Sequence, residues 1–130
     1  MQRQVKTFDF SDQLDIGFLK EVYEGDMEYA ADIFEIFLDT FDEEYGKLKT
    51  SIQSEDCLAI RAQAHKMKPT FSMVGLTDIT ELFKALEKVA DRDELSKALE
   101  LHQHIDNTLK NKIPLIIDQR KQLLAHLKTS

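Results

Sequence analysis

Apolar residues between Ala30 and Leu48 recur every three or four positions: Ala30, Ile33, Phe34, Phe37, Phe41, Tyr45 and Leu48. That interval draws one apolar stripe along a helix, whereas a half-buried strand repeats every second residue. Asp26, just after the flexible Gly25, is a good N-cap for such a helix. Glu28, Asp32, Glu35, Asp39 and Asp42 form a second, opposite stripe at the same spacing. From Glu21 to Glu44 there are ten acids and no Lys or Arg. The acidic stripe reads as a solvated outer face, with a partner-binding face as the alternative.

The rest of the chain follows the same pattern. With four Gly and two Pro in 130 residues, there is little turn material, which favours a few long helices over many short strands. A second helix is expected to start near Ser54 to Asp56, where capping residues precede Leu58, Ile60, Ala64, Met67, Phe71 and Val74, with Gly75 placed to stop it. A third opens at "TDITEL", where Asp78 and Glu81 have capping-box spacing, and buries Ile79, Leu82, Phe83, Leu86 and Val89. After "DRDEL" a long segment runs from Leu95 to Leu127, and Pro114 should kink or restart it. Upstream, "SDQLDIGFLKEVY" reads as a short helix covering one end through Leu14, Phe18 and Leu19. The expected architecture is all-α. It is one domain over residues 1–130, an antiparallel four-helix bundle with a short N-terminal lid helix and a kinked C-terminal helix.

Several function classes are disfavoured. The single Cys57 leaves no internal disulfide and no thiol metal cluster. "ELHQH" sets Glu100 and His104 four apart, but a bundle metal site needs paired Glu-x-x-His elements on facing helices, so no metal or cofactor is expected. A net charge of −7 argues against nucleic acid, which requires a basic surface. No apolar run is long enough to span a bilayer and no signal peptide is read, so a cytoplasmic location with no membrane contact is expected; a monomer is expected separately, although the sequence does not fix the oligomeric state.

One stretch departs from this plain picture: "AHKMKPTFSMVGL", residues 64–76. On a helical wheel centred on His65, Arg61, Lys68 and Ser72 fall close to it at i−4, i+3 and i+7. Leu58, Ala62, Pro69 and Met73 flank that polar line, while Ile60, Ala64, Met67, Phe71 and Val74 turn to the core. His65 should therefore look outward. From Cys57 to Thr77 there are 21 residues, three of them Lys or Arg and none acidic, although the chain holds 24 acids. A positive window centred on an exposed imidazole suits a transient dianionic group on that ring. Neutral imidazole is nucleophilic near pH 7, and a nearby lysine offers a point charge to phosphoryl oxygens. Pro69 removes one backbone donor and costs ~3 kcal/mol inside an ordinary helix. Met67, Phe71 and Val74 nevertheless keep helical spacing across it, so the helix is expected to continue to about Gly75.

These residues resemble the histidine-containing phosphotransfer (HPt) domains of multistep phosphorelays. That family places the phosphorylated His after an Ala, with a Lys three residues later and Gly at the fourth and tenth positions. Ala64, His65, Lys68 and Gly75 match in register, and Pro69 stands where the family commonly has Gly. "GDMEYAADIFEIFLDTF", "SEDCLAIRAQAHKMK" and "GLTDITELFKALE" resemble the family's segments around the motif, so the likeness spans residues 12–110. The resemblance implies that His65 accepts a phosphoryl group from a receiver-domain aspartate of a hybrid sensor kinase and passes it to the aspartate of a response regulator. Lys68 would stabilise the phosphoryl group, with Arg61, Lys66 and Ser72 in support and Gly75 closing the helix. Leu58, Ala62, Pro69 and Met73 would meet the receiver. Such a chain is a carrier rather than an enzyme, because the Mg²⁺ and the aspartate belong to the partner. The alternative is a binding-only bundle that docks a receiver without carrying phosphate.

Overall fold

The computed structural model describes residues 7–129, in which five α-helices and no strands are found. They are α1 (Ile16–Tyr23), α2 (Met27–Gln53), α3 (Cys57–Ser72), α4 (Thr77–Asp91) and α5 (Leu95–Thr129). Residues 1–6 and 130 of the expected single domain lie outside the described residues. α2 packs on α3 and α5, α4 packs on α3 and α5, and α1 rests on α2. Links of three or four residues join successive helices, which forces neighbours to run antiparallel. Cross-helix contacts confirm the direction. Glu44 of α2 meets Gln63 and Lys66 of α3, while Phe37, a turn or two earlier, meets Phe71. Tyr45 meets Asp106 of α5, and Glu35 meets Arg120.

Local chemistry sets most of the boundaries. Asp26 and Asp56 cap α2 and α3, accepting from the amides of Tyr29 and Ala59. The end of α3 is closed by Gly75 at φ +80°, where Leu76 N donates to Phe71 O and Gly75 N to Ser72 O. The same paired closure ends α2 and α4, with Glu55 and Asp93 in left-handed conformations usually given to glycine. No helix among the described residues is long and apolar enough to cross a membrane.

Two boundary expectations are corrected. The Asp78–Glu81 capping box does not form. Leu76, fully buried, occupies the N-cap position, and Asp78 bonds the adjacent Ile79 amide from inside the first turn. Thr77, the residue between them, spends its hydroxyl on Asp15. Pro114 neither ends nor restarts the last helix: α5 passes through it for 35 residues. Pro114 is exposed, and Leu109 and Ile116 are buried on either side of it, so packing carries the helix across the missing donor. At Pro69 the expected continuity is observed, with regular helix to Ser72 and Gly75 closing the turn beyond.

The core is continuous. Phe71 of α3 sits at its centre, with ring centroids 5.7 Å from Phe37, 6.5 Å from Phe41 and 4.6 Å from Phe83. Leu14, Leu19 and Tyr23 bury themselves where α1 approaches the α3–α4 turn, and the Tyr23 hydroxyl donates to Met73 O at 2.6 Å. Phe18, expected beside them, is only half-buried. Asp15 ties this corner together: its amide donates to Gly75 O, and its carboxylate accepts from Phe18 N and Thr77 Oγ1. Those two bonds hold its pKa below the ordinary value.

Candidate functional site

α3 divides its residues as the wheel requires. Ile60, Ala64, Met67 and Phe71 are buried, while Leu58, Ala62, His65 and Pro69 are exposed along the opposite side. The His65 side chain is 67% exposed, so it faces solvent. Leu58 is 70% exposed, a large apolar side chain left uncovered one face along from the imidazole. Met73, the last of the flanking set, is half-buried.

His65 is exposed but not alone. Its Nδ1 lies 2.7 Å from Oε1 of Glu87, on α4, and the other carboxylate oxygen accepts from Lys68 Nζ at 2.8 Å. One carboxylate therefore holds both the imidazole and the lysine one turn away. The Lys68 bond is the main reason the Glu87 pKa falls below its ordinary value, with the His65 bond adding to it against the effect of burial. Ionised, Glu87 can only accept, so Nδ1 carries the hydrogen. In the neutral ring the lone pair is then on Nε2, on the side away from Glu87. The arrangement presents a nucleophilic nitrogen to solvent with its tautomer fixed from behind.

The acid-free window of the sequence is not acid-free in space. Arg61 Nε lies 3.6 Å from Asp91, and Lys66 Nζ lies 3.1 Å from Glu44. Glu44 also accepts from Gln63, and these bonds, Gln63 first and Lys66 second, lower its pKa to about 2. Ser72 shares a hydrogen bond with Thr80 of α4 at 2.8 Å. Gly75 closes the turn at a point where an added Cβ would stand 2.8 Å from Leu19 Cδ1. The other histidines lie on α5 away from this group, and His102 stacks on Tyr45. Between α2 and α3, beside Lys66, an apolar groove of about 230 Å³ is lined by Phe37, Thr40, Phe41, Met67 and Thr70.

Glu87 is the residue that reading the sequence misses, because it lies 22 positions from His65 on a different helix. A signal for it does exist. His65 and Glu87 stand eleven residues either side of Leu76, Ser72 and Thr80 four, and Arg61 and Asp91 fifteen. Folding the chain about a turn at Leu76 brings each pair level.

The chain matches the family model of the Hpt domain over residues 32–128. Neither the curated proteins nor the solved structures gave a match. The matched span begins and ends further along than the 12–110 of the sequence resemblance, and takes in all of α3 and α4, most of α2 and nearly all of α5. With an exposed histidine on α3 inside that span, this chain belongs to the Hpt domain family.

Proposed function

We propose that this protein is a cytoplasmic phosphorelay intermediate in which His65 takes a phosphoryl group from a receiver-domain aspartyl phosphate and yields it to the aspartate of a response regulator. The observation that carries the reading is an exposed imidazole, bonded at Nδ1 to Glu87, in a chain of this family. In the forward step the Nε2 lone pair attacks phosphorus. The P–N bond forms as the acyl P–O bond breaks, and the electron pair leaves on the donor carboxylate. The second transfer reverses these roles on another aspartate. Little covalent work falls to this chain, which holds the nucleophile in place and balances charge. Mg²⁺ is supplied by the partner, so the protein is a carrier rather than an enzyme.

Lys68 is one turn from His65 and shares its Glu87 carboxylate, and its ammonium can shift toward the arriving phosphoryl oxygens. Lys66 and Arg61 add longer-range positive charge, and Ser72 steadies the α3–α4 contact through Thr80. Gly75 fixes the turn that sets α3 against α4. Leu58, Ala62, Pro69 and Met73 form the docking stripe around the imidazole, with receiver domains of a hybrid sensor kinase and a response regulator as partners. The scaffold for this role is an antiparallel four-helix bundle of α2 to α5, monomeric, with α1 as its lid and a bend in α5 at Pro114.

Incubation with a phosphorylated receiver domain tests the proposal. Wild-type protein should gain acid-labile, base-stable phosphate and His65→Gln none. A chain that binds the receiver yet never takes phosphate would instead establish the binding-only alternative.

A further inference from the structure

We infer that the outward face of α5 from Lys110 to Lys128 is a docking seam for one acidic amphipathic helix of a partner protein, bound while His65 stays open. Between Leu109 and Thr129 there are five Lys or Arg and one acid, Asp118, in a chain of 24 acids and net charge −7. Lys110, Pro114, Ile117, Lys121, Leu124 and Lys128 are all exposed and follow one another at intervals of four and three residues. That alternation is the coiled-coil repeat of about 3.5 residues, which draws a straight stripe along one helix for a second to lie on. Ile117 is 42% exposed and Leu124 37%, so two large apolar side chains one heptad apart stand uncovered in the stripe. Asp118 lies to one side and accepts from Gln122. Lys112 and Arg120 turn toward Asp78 and Glu35 of neighbouring helices. Among the described residues Lys121 and Lys128 have no ion-pair partner.

Charge and repeat together choose the occupant. Binding to a lipid surface scales with the apolar area buried, and two partly exposed side chains supply little of it. The acids of the other helices would also be repelled by an anionic membrane. A helix needs only the stripe. At 1.5 Å per residue the seam is about 27 Å long, room for about five turns of a partner helix. Apolar side chains seven apart on that helix would meet Ile117 and Leu124, and Asp or Glu beside them would reach Lys121 and Lys128. The lysines set the partner's charge and orientation, and the apolar pair sets its register. α3 and α5 each pack on α2 and α4, so they stand at opposite corners of the bundle and their exposed faces look opposite ways. A helix on α5 therefore leaves the imidazole uncovered, whether or not His65 carries phosphate.

The probe is a fluorescein-labelled peptide of three heptads, with Leu at positions seven apart and Glu beside them. Anisotropy measures its binding, and amide chemical shifts of the protein locate it. It should bind the wild-type protein, with shifts clustered between Lys110 and Lys128 and the His65 ring resonances unmoved. Lys121→Glu/Lys128→Glu should weaken binding about tenfold at low salt, and salt should narrow that gap. Ile117→Ser/Leu124→Ser should weaken it about fivefold at any salt. Lys84→Glu/Lys88→Glu, the same charge change on exposed positions of α4, should cost less than about twofold. Circular dichroism verifies that each variant is folded. No binding, equal losses in the α4 and α5 lysine variants, or shifts centred on α3 would overturn the inference. So would equal binding of a peptide with Lys in place of Glu, binding to phosphatidylserine vesicles but not to the peptide, or self-association of the protein that the α5 substitutions abolish.

Discussion

At the scale of single residues, the account turns on Glu87. It is the shared acceptor for His65 Nδ1 and Lys68 Nζ, so removing it frees the imidazole to rotate and the lysine to wander. Carboxylates that orient a metal-bound histidine from behind typically matter by about ten- to hundredfold, and the same geometry acts on the free imidazole of His65. Glu87→Ala should slow phosphorylation of His65 by that order with the fold intact. Glu87→Gln, whose carbonyl still accepts from Nδ1, should lose less, and equal rates in all three proteins would remove Glu87 from the mechanism. Lys68→Ala should shorten the lifetime of the phosphoprotein, measured as loss of labelled phosphate at neutral pH. An unchanged lifetime would pass the role to Lys66 or Arg61. His65 and Lys68 were legible in the sequence because one helical turn relates them. Glu87 was not, because its approach depends on where the α3–α4 turn falls.

At the scale of elements, the α3–α4 hairpin positions the site, and Gly75 positions the hairpin. Its φ of +80° disfavours any side chain, and a Cβ would stand 2.8 Å from Leu19 Cδ1 and 2.9 Å from Leu14 Cβ. Gly75→Ala should therefore cost about 2–4 kcal/mol in denaturant unfolding, combining left-handed strain with overpacking. A cost below 1 kcal/mol would mean that α1 yields easily. Pro69 presents the reverse case. It sits inside α3 and leaves the His65 carbonyl without its usual donor. Pro69→Ala restores that donor and should stabilise the protein by about 1–3 kcal/mol, while Pro69→Glu should impair receiver transfer by placing a charge in the exposed stripe. Helix starts at Asp26 and Asp56 were legible because the cap and the capped amide lie within one turn. The capping box at Asp78 was misread because Thr77 is claimed by Asp15, 62 residues upstream. Of the two outcomes expected at Pro114, a kink or a restart, the restart does not occur, because Leu109 and Ile116 are buried on either side of it and carry the helix across.

At the scale of the whole molecule, one aromatic core holds the helices in register, and ion pairs between helices trim the surface. Phe71 contacts rings from both α2 and α4, so Phe71→Ala should cost about 3–5 kcal/mol and loosen the His65 site with it. Acid should act through the bridging carboxylates. Glu44 has a folded pKa of about 2 against an ordinary 4.5, so its contribution is complete above pH 4.5 and lost as the pH falls toward 2. Urea midpoints should therefore drop across that window in the wild type, and less steeply in Glu44→Gln; parallel curves would contradict the assignment. The all-helical fold was legible because apolar residues recur at helical spacing in each long segment, most clearly in α4, and turn residues are few. The spatial neutralisation of the basic window was not, because Glu44, Glu87 and Asp91 come from helices on either side. The central claim is that His65 is the phosphoryl acceptor and that it reacts through Nε2. Phosphorus NMR of the labelled protein at alkaline pH, with peptide mapping, measures both the residue and the ring nitrogen. The account predicts a single phosphohistidine at His65 with phosphorus on Nε2. Phosphate on His102, His104 or His126, or on Nδ1 of His65, would contradict it.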